Sequence, residues 1–369
     1  MTNRNEVIDF IRGCSILLVI LRHCEIHLSV DQSLLSVTWV KWLLNSGYYG
    51  VMVFFVVSGF LITSTCIRKW NQLRSLNISQ FYLMRSARIF PCLIALLGIL
   101  SLLHWIGLKG FIIHNTSLQQ ALFSAFTFHI NWLEAKVGYL PANWDVLWSL
   151  SIEEVFYLFF PLLCIVFRKP KQLMFIMFIF IVLGPLARTK FTDNDFWSDY
   201  SYLSCMDGIA IGCLTAMIAN KVKSIPLSKY FFVLGCVLFS FIFFFRKQVA
   251  DIGITSLGLN VTLLEIGIAM IILSSTQKTN FNWFGWIRWF GRNSYEIYLT
   301  HSFIVLFAAN ILYHSGQPTW LIISEYLFIV LSSGLLGQLI ATYYSEPLNH
   351  YLRERNLMNK LEYSTDNLN

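Results

Sequence analysis

Long apolar runs recur along the chain and are separated by short polar segments. Ten runs of roughly 20 residues are long enough to cross a bilayer as helices. They cover about residues 7–28, 48–67, 89–107, 146–167, 172–187, 201–220, 230–246, 256–275, 294–313 and 320–342. The run 118–133 is amphipathic and only 16 residues long, so it predicts a re-entrant or interfacial helix. The pattern predicts an all-α fold, a polytopic membrane helical bundle of about ten transmembrane helices.

The basic residues indicate how this bundle is oriented. With the amino terminus inside and 118–133 on the outer side, 18 of the 27 lysines and arginines lie in inner segments. Seven lie in outer segments and two lie within the first run. Because Lys and Arg favour the cytoplasmic side, we predict that both termini are cytoplasmic and that the tail 343–369 is on that side. The expected location is therefore a membrane that borders the cytoplasm.

Composition narrows the class of protein further. Hydrophobic residues make up 56% of the 369 residues and charged residues only 13%, which excludes a soluble enzyme, a disordered chain and a collagen-like fibre. The net charge of +7 does not indicate nucleic acid, since no soluble stretch is long enough for a binding domain. No metal-ligand spacing appears, so no metal is expected. Residues 1–369 are predicted to form a single integral-membrane domain.

Charged residues inside the first apolar run are candidates for function, because charge within a spanning helix is costly. Arg12 and His23 are eleven residues apart, so both project from one helical face, roughly 16 Å apart along the axis. Asp9 lies one turn before Arg12 and is positioned to pair with it. Counted from the outer ends of their helices, His23 and Glu153 lie at a similar depth in the membrane. Arg12 lies near the inner end of the first helix.

The polar residues therefore fall into two predicted layers. Arg85 and Arg88 share a helical face at i, i+3 and form a cationic inner layer with Arg12, which suits the phosphates of an anionic ligand. His23 and Glu153 form an outer layer suited to proton chemistry. A proton relay in a transporter would need the same outer residues, and charges that only stabilise packing remain an alternative.

Five blocks carry a resemblance to a known family. Residues 8–13 read IDFIRG and are followed by His23, residues 50–62 read GVMVFFVVSGFLI, residues 85–91 read RSARIFP, residues 148–158 read WSLSIEEVFYL, and residues 294–301 read SYEIYLTH. In this order they are similar to the signature blocks of the acyltransferase-3 family of integral-membrane acyltransferases, whose members O-acylate bacterial surface carbohydrates. Glu346-Pro347 resembles the closing element of the family in a shortened form. The chain departs from the common pattern at Met52 and at Cys205, two residues before Asp207.

The resemblance implies an acyl-CoA donor, most simply acetyl-CoA, on the cytoplasmic side and a hydroxyl acceptor. No permanently bound cofactor is expected. CoA phosphates would contact Arg12, Arg85 and Arg88. His23 would act as the general base, with an acyl-histidine relay as a variant, and Glu153 would orient His23 or hold the sugar. Further candidate contacts to the substrate or the oxyanion are Ser58, Ser149, Asp9, Tyr298, His301 and Asp207.

Several questions about partners and function stay open at this stage. The expected partners are acyl-CoA, a carbohydrate or lipid-linked sugar acceptor and membrane lipid. A separate acceptor-handling protein or a homo-oligomer would be compatible with the sequence. The alternative function is a polytopic transporter or flippase for a saccharide or exopolysaccharide precursor, and a third is a non-catalytic assembly protein. A transporter predicts inverted repeats with broken helices, which the sequence lacks.

Overall fold

The computed structural model describes residues 5–28, 37–190, 194–221, 228–276, 284–314 and 316–354. Its regular structure is helical, and these ranges contain no strand. The first helices are α1 (Glu6–His27), α2 (Thr38–Leu44), α3 (Gly47–Trp70), α4 (Ile78–Ile106), α5 (Leu118–Phe126), α6 (Ile130–Val137), α7 (Leu147–Val166) and α8 (Pro170–Lys190). They are followed by α9 (Asp195–Asp199), α10 (Tyr202–Lys221), α11 (Ser228–Phe244), α12 (Arg246–Asp251), α13 (Leu259–Ser275), α14 (Gly285–Arg292), α15 (Ser294–Phe307) and α16 (Thr319–Ile340).

Several of these helices have the length and composition of membrane spans. Seven stretches in the described ranges qualify: Gly47–Trp70, Ile78–Ile106, Ala142–Val166, Pro170–Lys190, Asp195–Lys221, Ser294–Leu312 and Thr319–Glu354. The apolar helices α11 and α13 have only 17 residues each, and α1 has 22 residues that include several charged side chains. The chain is therefore a multi-pass membrane helix bundle. The count of ten crossings and the cytoplasmic position of the termini stay predictions.

The helix α4 begins eleven residues before the predicted run 89–107. Its start is capped by the side chain of Asn77, which accepts a hydrogen bond from the backbone N–H of Gln80 at 2.9 Å. Because the apolar run excludes this polar first part, hydropathy alone misses it. As a result Arg85 and Arg88 lie within the helix rather than at its mouth.

The segment 118–133 forms two short helices instead of one. The helices α5 and α6 have nine and eight residues, and Phe128 between them has φ 56°. A non-glycine residue with positive φ ends an α-helix. Neither piece is long enough to cross a bilayer.

The helix α16 continues past the predicted end of its apolar run. A π-helical turn covers Ala341–Ser345, and helix then continues to Glu354. The polar residues of this extension hide it from a hydropathy reading. The extension returns to the bundle, because Nη2 of Arg353 donates a hydrogen bond to the carbonyl oxygen of Met84 at 3.2 Å.

Glycines bring α1 and α14 into backbone contact. A Cβ added at Gly13 would lie 2.0 Å from the carbonyl oxygen of Ile287, and one added at Gly291 would lie 1.7 Å from that of Asp9. Small residues permit such close approach of membrane helices. The contact fixes α1, which carries Arg12 and His23, against its neighbour.

Candidate active site

A cavity of about 450 Å³ lies among α1, α3, α4, α7 and α15. Seven of the predicted site residues line it: Arg12, Ser58, Arg85, Arg88, Ser149, Glu153 and Tyr298. These residues come from five helices, so the fold brings together positions that are far apart in the chain. The other four, Asp9, His23, His301 and Asp207, are not part of the lining.

Arg85 lies at the centre of the polar wall of this cavity. Its Nη2 is 3.9 Å from Oε1 of Glu153 and 3.9 Å from Oε1 of Glu154. Its guanidinium group also stacks over the ring of Tyr157, 3.7 Å from the centroid. Two carboxylates and an aromatic face therefore hold this cation in place.

Ser58 joins α3 to the same group. Its hydroxyl contacts Oε1 of Glu153 and the hydroxyl of Tyr157, and the Tyr157 hydroxyl donates to the same carboxylate oxygen. Glu153 and Tyr157 are i, i+4 on α7, so both reach Ser58 from one helical face. The arrangement orients the serine hydroxyl beside a carboxylate that accepts hydrogen bonds.

Arg12 and Arg88 are held by α15. The Nε of Arg12 donates to Oγ of Ser294 at 3.0 Å. Nη1 of Arg88 is 3.2 Å from Oε1 of the buried Glu296, which also accepts a 2.7 Å hydrogen bond from Ser345. Each arginine is thus fixed by a residue of the SYEIYLTH block.

Tyr298 and Ser149 form a link between α15 and α7. Their hydroxyl oxygens are 2.7 Å apart, and the Tyr298 hydroxyl donates to the carbonyl oxygen of Val146 at 3.1 Å. Both side chains line the cavity. The Ser149 hydroxyl lies 3.2 Å from the same carbonyl oxygen, so the protons of both hydroxyl groups have partners on this wall and both oxygens can still accept.

His23 pairs with His301 beyond this link. The two imidazole centroids are 4.8 Å apart in an edge-to-face contact, and the ring of His301 is 5.9 Å from that of Tyr298. His301 is fully buried, and its Nδ1 lies 2.8 Å from the carbonyl oxygen of Tyr298. A carbonyl can only accept, so we assign the proton of neutral His301 to Nδ1.

His23 and Glu153, which were predicted to share one layer, have different contacts in the structure. Glu153 lies with Arg85 and Ser58, whereas His23 packs against His301. Depth from a helix end gives the height of a side chain but not the direction in which its helix turns it. The contacts of this carboxylate are thus with the cationic group, and its predicted role in orienting His23 stays a prediction.

Asp9 and Asp207 lie away from the cavity. Asp9 is buried where α1 meets α14, and its predicted pairing with Arg12 stays a prediction. Asp207 forms an ion pair with Arg188 of α8 at 2.5 Å and accepts a 2.7 Å hydrogen bond from Thr262. The partner of Asp207 thus comes from a neighbouring helix, since position 205 is a cysteine.

Arg188 also borders a second cavity, of about 390 Å³. Tyr48, Tyr49, Asn260 and Arg246 contribute to its lining. The guanidinium group of Arg246 lies 4.7 Å from the ring centroid of Tyr49. Under the predicted orientation this cavity faces the outer side, opposite the end where Arg68 lines the first cavity.

Some residues of the first cavity were not among the predicted site residues. They are Arg68, Glu154, Tyr157, Ser294, Tyr295 and Arg353. The sequence contains a signal for most of them, since Glu154, Tyr157, Ser294 and Tyr295 lie inside the recognised blocks. Arg353 follows the last apolar run and has no such signal.

Comparison with known proteins gives a match over most of the chain. The family model described as an acyltransferase domain matches residues 5–342. The chain is 26% identical over 339 residues to the peptidoglycan O-acetyltransferase OatA of Listeria monocytogenes, covering 85% of this chain and 51% of that protein. It is 28% identical over 333 residues to the O-acetyltransferase OatA of Staphylococcus aureus, covering 82% of this chain and 53% of that protein.

A shorter relative matches over nearly its full length. An uncharacterized protein of Haemophilus influenzae is 31% identical over 250 residues, which is 61% of this chain and 98% of that protein. The chain spans about half the length of the two OatA proteins. No solved structure matches it.

Proposed function

The chain belongs to the acyltransferase family whose model it matches, and we propose that it transfers an acetyl group from acetyl-CoA to a hydroxyl of a cell-surface or lipid-linked carbohydrate. The observation that carries the proposal is the cavity in which Arg12, Arg85 and Arg88 meet Ser58 and Glu153. The OatA relatives support acetyl as the group and a carbohydrate as the acceptor, because they are named O-acetyltransferases and one is named for peptidoglycan.

The shape and polarity of the cavity support a donor that enters with an extended arm. Its volume of about 450 Å³ lies within the usual range for small-molecule sites. Apolar side chains such as Val51, Phe54 and Leu61 line it beside the arginines. The arm of CoA is uncharged and carries amides, so it suits a passage with both apolar and polar walls. We propose that it runs toward Tyr298 and brings the thioester there.

The proposed reaction is a direct transfer with His23 as general base. The acceptor oxygen attacks the thioester carbonyl carbon, the C–S bond breaks, and the hydroxyl proton passes through His23 to the CoA thiolate. The side chain of Tyr298 lines the cavity, and its ring also contacts the ring of His301. These contacts support a reaction zone between the cavity and His23. An acyl-histidine intermediate on His23 is a variant of this route.

The hydroxyl groups near this zone support stabilisation of the oxyanion. Ser149 and Tyr298 both line the cavity, and we propose that one of their protons turns from the Val146 carbonyl oxygen to the oxyanion, where such a donor contributes about 10²–10³ in rate. Ser58 is engaged by Glu153 and Tyr157 in another part of the cavity wall. We propose that Ser58 contacts the donor arm there.

The acceptor is proposed to approach from the outer side of the bacterial inner membrane, with both chain termini in the cytoplasm. The second cavity supports this, because its tyrosine, asparagine and arginine side chains are suited to the hydroxyl groups and ring faces of a sugar. A separate acceptor-handling protein, or a second copy of the chain, is proposed to present large acceptors. Membrane lipid surrounds the bundle.

Purified full chain in lipid nanodiscs tests the proposal. With acetyl-CoA labelled in the acetyl group and peptidoglycan fragments as acceptor, we expect CoA release and a labelled saccharide. Arg12→Ala should lose both products while eluting as a single species. Saccharide transport into vesicles without thioester cleavage would contradict the proposal and favour the transporter alternative.

A further inference from the structure

The charges along the first cavity are unevenly distributed. In its deeper part Arg85 faces Glu153 and Glu154, and Arg88 faces Glu296. With Arg12, which Ser294 holds, the described residues of this part include three arginines and three glutamates, whose formal charges sum to zero. An additional anion at this depth would have to compete with the glutamates already present.

The end of the cavity near Arg68 and Arg353 has a different balance of positive and negative charges. Arg68 lies in the last turn of α3, and Arg353 lies on the helical extension that follows α16. Neither guanidinium group is within 4.0 Å of a carboxylate of the described residues. This end therefore carries two positive charges that no described glutamate or aspartate offsets.

Contacts at Arg353 fix it beside the deeper group while leaving a donor available. Its Nη2 donates to the carbonyl oxygen of Met84, the residue before Arg85, and Met84 also lines the cavity. Its Nε is buried and has no hydrogen-bond partner within the part of the chain that the structure describes. A buried N–H donor without a partner is costly, and an anion bound beside it would satisfy it.

We propose that Arg68 and Arg353 bind the phosphate groups of the donor nucleotide at the mouth of the cavity. This rests on the proposed function, and it changes the sequence prediction that assigned the phosphates to Arg12, Arg85 and Arg88. CoA carries a diphosphate and a 3′-phosphate, and arginine forms forked hydrogen bonds with such groups. The three deeper arginines then flank the uncharged arm and the thioester.

The physical basis is the cost of separating charges that already compensate each other. Phosphates beside Arg85 would be repelled by Glu153 and Glu154, whereas no carboxylate of the described residues lies within 4.0 Å of the guanidinium groups of Arg68 and Arg353. Arg68 is exposed, so a highly charged nucleotide bound beside it keeps part of its hydration. The assignment therefore places each part of the donor in the environment that suits it.

Two donors that differ only in the nucleotide test this assignment. Acetyl-CoA and acetyl-pantetheine have the same thioester arm, but only the first has phosphates. We expect wild-type protein in nanodiscs to cleave acetyl-CoA with the higher kcat/KM. Arg353→Gln and Arg68→Gln should each lower the ratio of kcat/KM for acetyl-CoA to that for acetyl-pantetheine by about tenfold or more.

A matched control is Arg74→Gln. Arg74 is an exposed arginine near Arg68 that contacts Gln72 and does not line the cavity, so the ratio should be unchanged. Equal losses with both donors in the Arg68 and Arg353 variants would mean a structural role and would overturn the inference. A wild type that cleaves both donors equally well would also overturn it. Cleavage of neither donor by wild type would overturn the proposed function itself.

Discussion

The imidazole rings of His23 and His301 lie edge to face with centroids 4.8 Å apart, and this contact joins α1 to α15 at the end of the proposed reaction zone. Because the carbonyl oxygen of Tyr298 accepts from Nδ1 of His301, the Nε2 of neutral His301 is an acceptor, and Oγ of Ser302 lies 3.5 Å from it. The ring is therefore suited to hold His23 in one orientation.

Substitution of this pair should separate chemistry from positioning. His23→Ala should lower acetyl transfer by about 10²–10⁴, the usual contribution of a general base. His301→Gln keeps a polar side chain but removes the ring contact, so kcat should fall less and KM for the donor should change little. Steady-state transfer measures both, and His114→Ala provides a control at an exposed histidine that does not line the cavity. Full transfer by the His23 variant would falsify the assignment of the base.

A double-mutant cycle tests the group around Ser58. Ser58→Ala and Tyr157→Phe each remove one hydroxyl that contacts Glu153, and Phe keeps the ring over which Arg85 stacks. Groups in one network couple by about 0.5–3 kcal/mol, so the two effects on kcat/KM should be non-additive. Strictly additive effects would show that the three groups act independently.

The ion pair between Arg188 and Asp207 should contribute to stability. Both side chains are buried, so removal of one partner leaves an uncompensated charge, at a cost of about 3–5 kcal/mol. We expect Asp207→Asn to lower Tm, whereas Asn at the exposed Asp195 should not. Thermal unfolding in detergent micelles measures this. An unchanged Tm combined with lost transfer would instead support the predicted substrate contact of Asp207.

The close packing of α1 on α14 can be tested by enlarging the glycines at the contact. Gly13→Ala and Gly291→Ala place a methyl group against a backbone carbonyl, so the helices must separate. The expected result is a sharply lower yield of monodisperse protein. Gly98→Ala on α4 is the control, because nothing lies within 4 Å of its added Cβ. Normal yields of the Gly13 and Gly291 variants would mean that the helices approach less closely.

Membrane topology has a direct test between α7 and α8. Neither α5 nor α6 is long enough to cross, so a cytoplasmic reporter fused after Lys171 should be active. A fusion after Lys109, on the predicted outer side, should be inactive and serves as the control. The opposite activities would mean that the segment containing α5 and α6 crosses the membrane.

Prediction from sequence succeeded where one helix carries the information. The spacing of Arg85 and Arg88 on one helical face follows from helix geometry, and both side chains line the first cavity. Relations between helices had no local signal, which is why Glu153 was predicted to lie beside His23. Arg188 and Arg353 were missed as partners for the same reason, and hydropathy in addition ended the last helix before Arg353.

The π turn at Ala341–Ser345 gives the extension of α16 a fixed register relative to the membrane part of the helix. A π turn accommodates one residue more than an α turn, so deletion of a single residue there would rotate everything beyond it by about 100° and shift it by about 1.5 Å. Arg353 would then point away from Met84. The number of residues between the membrane and this arginine is therefore as constrained as the arginine itself.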